Sequence, residues 1–239
     1  MTSFTLDVHT HTVSSGHYTM DTITDMVKTA KEKGLSLLGI SEHGPALPHS
    51  CTLSYFRSLP LAPATRMGIR ILYGAEVNIT SLNGHLDLPD DVMQHLDYCL
   101  AGMHLPCLSP GTASENTNAY IRAMENPCIR ILAHTDDPKF PVDYDRLIRA
   151  AMDYRVLLEI NNSSLAPGSY RGNARENSRI ILDLCKNFHY PILLSSDSHG
   201  HKNVGNFQYA LNLIAQMDFP KNLILNSSAD RFLSFLKNK

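Results

Sequence analysis

Short apolar runs rich in Ile, Leu and Val recur along the chain, and each predicts a strand buried on both faces. They are FTLDV (4–8), LSLLGI (35–40), IRILYGAEV (69–77), YCLAGM (98–103), IRILA (129–133), RVLLEI (155–160), PILLSS (191–196) and NLILN (222–226). Between most of them the period lengthens to that of an amphipathic helix. Ile23, Met26, Val27 and Ala30 fall at i, i+3, i+4 and i+7, as do Tyr144, Leu147, Ile148 and Ala151. Phe207, Ala210, Leu211 and Ile214, then Ala229, Phe232, Leu233 and Leu236, share an apolar helical face in the same way. The prolines within 45–68 predict an irregular connection there. Strand and helix alternate at a beat of roughly thirty residues, the size of a βα unit. That beat predicts an α/β fold, a TIM-like barrel of seven or eight units. No GxGxxG or GxxxxGK(S/T) follows a strand, so an open nucleotide-binding sheet lacks its loop.

The polar residues fall on the same beat. His9 and His11 close the first run, His43 the second, Glu76 the third, His104 the fourth and His134 the fifth; Asp197 and His199 close the seventh, and His17 lies in the first loop. In a βα barrel the C-terminal ends of the strands hold the active site. His9 and His11 are two apart on an extended segment, so their side chains share a side. A lone histidine after a strand is commonly structural, but six strands ending in metal-type ligands are not explained that way. Seven imidazoles and two carboxylates exceed the four ligands of one tetrahedral zinc and suit two or three ions, with Glu76 or Asp197 bridging. Imidazole favours Zn, while Mn or Fe fit the same donors. The resulting positive pocket calls for an anion, and phosphate is the first candidate.

A length of 239 residues allows one large domain or two small ones, but no linker or composition shift marks a boundary, and a single domain over 1–239 is expected. The net charge of −2 gives no footprint for nucleic acid or anionic lipid. No run approaches the roughly 18 apolar residues of a membrane span, and MTSFTLDVHT lacks the charged and apolar regions of a signal peptide. Five cysteines without a CxxC pair argue against a disulfide framework or thiolate cage. A cytoplasmic protein is expected.

The series DVHTH, SEHG, GAEVN, GMH, LAH and SDSH resembles, in order and over nearly the whole chain, the motifs of the PHP (polymerase and histidinol phosphatase) superfamily. The length, the EINNSS segment and the SSDSH ending are most similar to its YcdX-like phosphatases. The resemblance implies a distorted (β/α)7 barrel with a trinuclear zinc centre at the C-terminal face of the strands. It implies His9, His11, Glu76 and Asp197 as ligands of one ion, Glu76, His104 and His134 of a second, and His17, His43 and His199 of a third. It allows a homo-oligomer such as a trimer. One departure stands out: Thr135, Asp136 and Asp137 follow His134 where this branch commonly has Pro-Gly. Asp136 reads as an exposed loop carboxylate, with extra ligand or general acid as the alternative.

The expected activity is hydrolysis of a small-molecule phosphomonoester by in-line attack of a hydroxide bridging two ions, with catalysis resting on positioning and charge neutralisation. Asp7 shares the alternation of His9 and His11 and is a candidate to orient a ligand imidazole, as are Glu42 and Asn161. Arg171 and Arg175 are candidates to grip phosphate with planar donor forks; Lys139 and His201 are weaker ones. His49, His85, His95 and His189 lie off the pattern and read as surface or structural. Three rivals remain. An amidohydrolase would usually place a lysine where His104 stands, a nuclease would need clustered Lys and Arg, and a non-catalytic metal-binding domain would lack some of the ligands.

Overall fold

The structure, a computed structural model, describes residues 4–237. Its strands are β1 (Leu6–Asp7), β2 (Thr10–His11), β3 (Leu37–His43), β4 (Thr65–Arg66), β5 (Ile69–Asn78), β6 (Tyr98–Gly102), β7 (Ile129–Leu132), β8 (Leu157–Asn161), β9 (Ile192–Ser195) and β10 (Ser198–His199). Its helices are α1 (Ile23–Glu32), α2 (Leu53–Ser58), α3 (Asp90–Met93), α4 (Ala113–Met124), α5 (Tyr144–Tyr154), α6 (Ala174–Asn187), α7 (Gln208–Gln216) and α8 (Ala229–Lys237). The main sheet runs β1-β3-β5-β6-β7-β8-β9, all parallel, with β4 folded back antiparallel on β5. This is the distorted (β/α)7 barrel. No described helix is long and apolar enough to cross a membrane.

Alternation along each strand sorts the side chains into two cores. Leu37, Leu72, Tyr98, Leu100, Ile131, Leu157 and Leu193 turn inward and fill the N-terminal half of the barrel. Phe232 of α8 plugs that end. Their strand neighbours Leu38, Ile40, Ile71, Val77, Ala101, Leu132, Leu158 and Leu194 turn outward to meet Val27, Ala30, Ala119, Leu147, Ile148, Ile181 and Leu213 of the helices. The inward positions become polar only in the C-terminal half: His43 follows Leu37 at even spacing on β3, Glu76 follows Leu72 on β5, and Glu159 follows Leu157 on β8. A greasy floor beneath a polar layer is thus written into each strand.

The barrel closes unevenly. Near the site, β2 pairs with β10, setting His11 beside His199 in register. Lower down, β1 and β9 do not pair, and Asn226 fills the seam. Its Nδ2 donates to Leu6 O (3.2 Å) and Leu194 O (2.8 Å), and its Oδ1 accepts from Leu194 N (2.7 Å). The side-chain amide thus replaces a missing strand rung. The expected eighth strand at 222–226 is correspondingly absent. Short 3-10 turns at Lys221–Leu223 and Leu225–Ser227 occupy it, with one bridge from Ile224 to Ile192. Asn226→Ala would strand three buried backbone groups, and we expect it to lower the unfolding free energy by about 2–4 kcal/mol. Chemical denaturation of the two proteins reads that difference.

Asp7 is the second correction. The first run is not one strand: pairing lapses at Val8 and His9, and the alternation slips by one, so Leu6 and Val8 face the barrel floor while His9 and His11 face the polar layer. Asp7 therefore turns away from them. It accepts from Ser196 N (3.3 Å), Ser196 Oγ (2.5 Å) and Gly205 N (2.8 Å), sealing the same seam rather than orienting an imidazole. The proline-rich connection carries α2, a 3-10 turn and β4 rather than remaining irregular throughout.

Candidate metal centre

Five strands deliver imidazoles to one carboxylate. Glu76 sits in register opposite His43 across the β3–β5 ladder. Its Oε2 lies 2.8 Å from His43 Nδ1, 3.2 Å from His9 Nε2 and 3.4 Å from His11 Nε2. Its Oε1 lies 2.6 Å from His134 Nε2 and 3.3 Å from His104 Nε2. Gly102 makes room for this: a Cβ there would meet Glu76 Oε1 at 2.9 Å and His134 Cε1 at 3.0 Å. On the far side of His9 and His11, Asp197 Oδ1 lies 3.6 and 3.5 Å from their Nε2 atoms. His199 Nε2 lies 3.1 Å from His17 Nε2, and the His11 ring stacks on both His43 and His199. Two of the residues hold left-handed backbone, His134 at φ +32° and Asp197 at φ +50°. Such non-glycine conformations cost of order 1–3 kcal/mol each and cluster at functional sites.

Whether divalent ions fit is decided by the donor atoms. His9 Nε2, His11 Nε2, His43 Nδ1, His104 Nε2 and Glu76 Oε2 are buried with no hydrogen-bond partner. Buried polar atoms are ordinarily paired; this many unpaired lone-pair donors in one place match a cation. Donor atoms of His11, His43 and His199, of His9, His11 and Glu76, and of His43, Glu76 and His104 lie within 4.8 Å of one another in each group. The residues fit the metals.

Four of the nitrogens turned away from the cluster are held. His9 Nδ1 meets Glu159 Oε1 (2.5 Å), His104 Nδ1 meets Asn78 Oδ1 (2.7 Å), His17 Nδ1 meets Ser15 O (2.7 Å) and His11 Nδ1 meets Ser15 Oγ (3.2 Å). Such bonds fix the tautomer and leave the other nitrogen as a ligand. Glu42 acts one step back, accepting from Ser15 Oγ and from Thr12, and Asn161 donates to Asp197 Oδ2 (3.1 Å) rather than to a histidine. Burial favours the neutral form of four imidazoles: it pushes His43 down to about 4 against the pull of Glu76, and lowers His11, His134 and His199, whereas at His9 the carboxylates of Glu159, Glu76 and Asp197 outweigh burial and hold the ring well above the usual histidine value. Glu76 goes the other way: burial disfavours its charge, but His43, His9 and His104 outweigh that and hold it well below the usual carboxylate range.

With this geometry in view, the comparisons with known proteins are direct. The PHP domain profile matches residues 7–215. The chain belongs to the PHP domain family. It is 40% identical over 237 residues to a protein of Clostridium novyi (strain NT) named probable phosphatase, covering 99% of this chain and 96% of that relative. A probable phosphatase of Clostridium acetobutylicum is 39% identical over the same shares. Among solved structures, histidinol phosphate phosphatase from Lactococcus lactis, complexed with zinc, L-histidinol and phosphate, has the same fold (TM-score 0.62, 18% identity, 90% of this chain and 94% of that one).

The remaining candidates are placed by this PHP barrel as follows. A cavity of about 590 Å³ opens at the candidate ligands; His17, His43, His104, Asp197, His199, Lys139 and Arg171 are among its lining residues. Arg171 is buried, and its Nη1 pairs with Asp197 Oδ2 (2.9 Å). Arg175 does not reach the cavity. It lies in the first turn of α6 and its Nη2 donates to Gln216 Oε1 (2.5 Å) on α7, so it is not placed to grip a phosphate as expected. His201 pairs with Asp21 (2.6 Å). The expectation of an exposed Asp136 is also corrected. The N-terminal turns of α6 cover it: Ser178 Oγ donates to Asp136 Oδ2 (2.7 Å) and Asn177 Nδ2 to its carbonyl (3.0 Å). Burial pushes this carboxyl up to about 7, against the opposing effects of Ser178 and Arg171. His49, His85, His95 and His189 are exposed.

The sequence reading missed Glu159 and Asn78. Glu159 gathers four donors: His9 Nδ1 and Ser195 Oγ on Oε1, His134 N (2.6 Å) and Asn161 Nδ2 (3.0 Å) on Oε2. The signal that finds it is a glutamate inside the apolar run RVLLEI, where a charge needs a partner. Asn78 is itself held by Asp87, through Nδ2 to Oδ2 (2.6 Å).

Proposed function

We propose that this PHP-family chain is a phosphatase, a hydrolase that acts on phosphomonoesters of small molecules at a trinuclear zinc centre. The observation that carries the reading is the convergence of five imidazoles on Glu76, with four of the facing nitrogens (His9 Nε2, His11 Nε2, His43 Nδ1 and His104 Nε2) and Glu76 Oε2 buried and without a hydrogen-bond partner. We assign His9, His11, Glu76 and Asp197 to one ion, Glu76, His104 and His134 to a second, and His17, His43 and His199 to a third. An imidazole-rich set with two carboxylates favours zinc, with Mn or Fe able to occupy it. Divalent ions there supply Lewis-acid activation of water and neutralise phosphate charge. The names of the Clostridium relatives and the zinc, L-histidinol and phosphate of the Lactococcus lactis complex support this reading.

The chain's own residues do the rest. Arg171 holds Asp197 by Oδ2, which leaves Oδ1 turned to His9 and His11, and it presents a fixed cation to an anion entering the cavity. Each of the three groups of donors contributes to the cavity wall, through Asp197, through His104, and through His17, His43 and His199. An amidohydrolase reading is disfavoured by His104, whose position would usually carry a lysine.

The test is hydrolysis of a chromogenic phosphomonoester by the protein as purified, after chelation, and after zinc is restored. We expect turnover to vanish on chelation and return with zinc, and His43→Ala to lower kcat/KM by more than the roughly 10–100-fold that follows loss of a partner behind a ligand. Turnover that survives both treatments contradicts the proposal.

A further inference from the structure

We infer that the mouth of the cavity is a clamp for a flat ring, so that the favoured phosphomonoester carries an aromatic or heteroaromatic group on its alcohol side, held between Tyr18 and Tyr170. The inference rests on reading the metal centre as a phosphate site, and it adds the chemistry of the leaving group.

The first observation is size. A cavity of about 590 Å³ falls within the roughly 300–1,000 Å³ of pockets that take drug-sized ligands, so a phosphate alone leaves most of it empty. The second is the composition of its walls. Besides the metal-type residues and Arg171, Leu47, Pro48, Met103, Leu105 and Pro106 line it. The third is exposure: Tyr18, Tyr170 and Leu105, all lining residues, are 88%, 66% and 53% exposed. A single exposed apolar residue needs no explanation, but several rimming one cavity mark a binding site.

Both rings are held in place by groups of the phosphate site. Tyr170 lies under two cations, with Lys139 Nζ 4.8 Å and the Arg171 guanidinium 4.7 Å from its centroid. Lys139 Nζ also donates to the Tyr170 carbonyl (2.5 Å). Tyr18 stands edge-on to His17 (4.8 Å) and His199 (5.6 Å) and holds φ +62°, a left-handed conformation uncommon for a bulky residue. An oriented ring open to solvent offers a face to stack on. The two cations are already matched, Lys139 by Asp137 at 3.6 Å and Arg171 by Asp197 at 2.9 Å.

The test uses zinc-loaded protein and two inert probes, phenylphosphonate and methylphosphonate, with Kd read by calorimetry. We expect the wild type to prefer the phenyl compound by about tenfold or more, the range of one ring stacked on an aromatic side chain. Tyr18→Ala and Tyr170→Ala should each lower that preference several-fold, and Tyr18→Phe and Tyr170→Phe should keep it. A wild-type preference below about twofold, failure of the phosphonates to bind, or a preference unchanged in both alanine variants overturns the clamp. Hydrolysis of phenyl phosphate, adenosine monophosphate and glycerol phosphate is followed separately. If none is hydrolysed the phosphatase reading fails, while the phosphonate ratio still decides the clamp. Which of the two ring esters loses more kcat/KM in the alanine variants tells a nucleobase from a simple aryl group.

Discussion

Glu76→Gln is expected to abolish metal binding and phosphatase activity together while the barrel stays folded. The carboxylate faces five imidazole nitrogens at 2.6–3.4 Å, and among the described residues no other side chain touches as many of the candidate ligands. An amide of the same shape keeps the packing of β5 but offers one neutral oxygen and an NH2 group that points donors at donor atoms meant for a cation. The loss should exceed the roughly 10–100-fold in metal affinity that follows removal of a partner behind a ligand. Elemental analysis after gel filtration, with far-UV circular dichroism to check the fold, reads the result. A variant that retains its full complement of metal would remove Glu76 from the centre of the account.

Glu159→Gln should have the second largest effect, through a residue that need not touch metal or substrate. Four hydrogen-bond donors from His9, Ser195, His134 and Asn161 converge on its two oxygens. Burial raises the pKa of such a group, but His9 and His134 outweigh it, and the carboxylate stays ionised. Glutamine satisfies at most one oxygen's share and sets its own NH2 against the other pair, so two buried donors lose their acceptor. That costs about 1–3 kcal/mol of stability for each unpaired group. It also releases the His9 ring, the His134 backbone at φ +32° and, through Asn161, the Asp197 carboxylate. We expect zinc affinity to fall roughly 10–100-fold, measured by competition with a chromogenic chelator, together with a lower Tm of the metal-free protein. Unchanged affinity with a lowered Tm would make Glu159 a purely structural residue.

The sequence disclosed the ligands better than their supports, for physical reasons. A strand buried on both faces has nowhere to hide a histidine, so His43, Glu76, His104, His134 and Asp197 stand out at the ends of apolar runs and fall where a barrel places its site. What the alternation could not show is where it slips. Asp7 belongs in phase with His9 only if the strand is continuous, and the lapse at Val8 and His9 is invisible to periodicity. The run NLILN has the composition of a strand, yet the seam it borders is closed by one side-chain amide, Asn226, so no ladder forms. Asp136 looked like a loop carboxylate because the helix that covers it lies some forty residues on, and Ser178 and Asn177 meet it only in the folded chain. Arg171 and Arg175 are alike in sequence context. Only the start of α6 between them turns one toward Asp197 and the other toward Gln216.

The most direct test of the central claim is metal stoichiometry on protein purified without added metal or chelator, by inductively coupled plasma mass spectrometry. Nine candidate donor side chains, with Glu76 shared, predict about three ions per chain, mostly zinc, since a single tetrahedral site would use only about four of them. Metal-free protein that also fails to take up zinc, manganese or iron would contradict the account, because the buried, unpaired donors around Glu76 would then have no cation to hold.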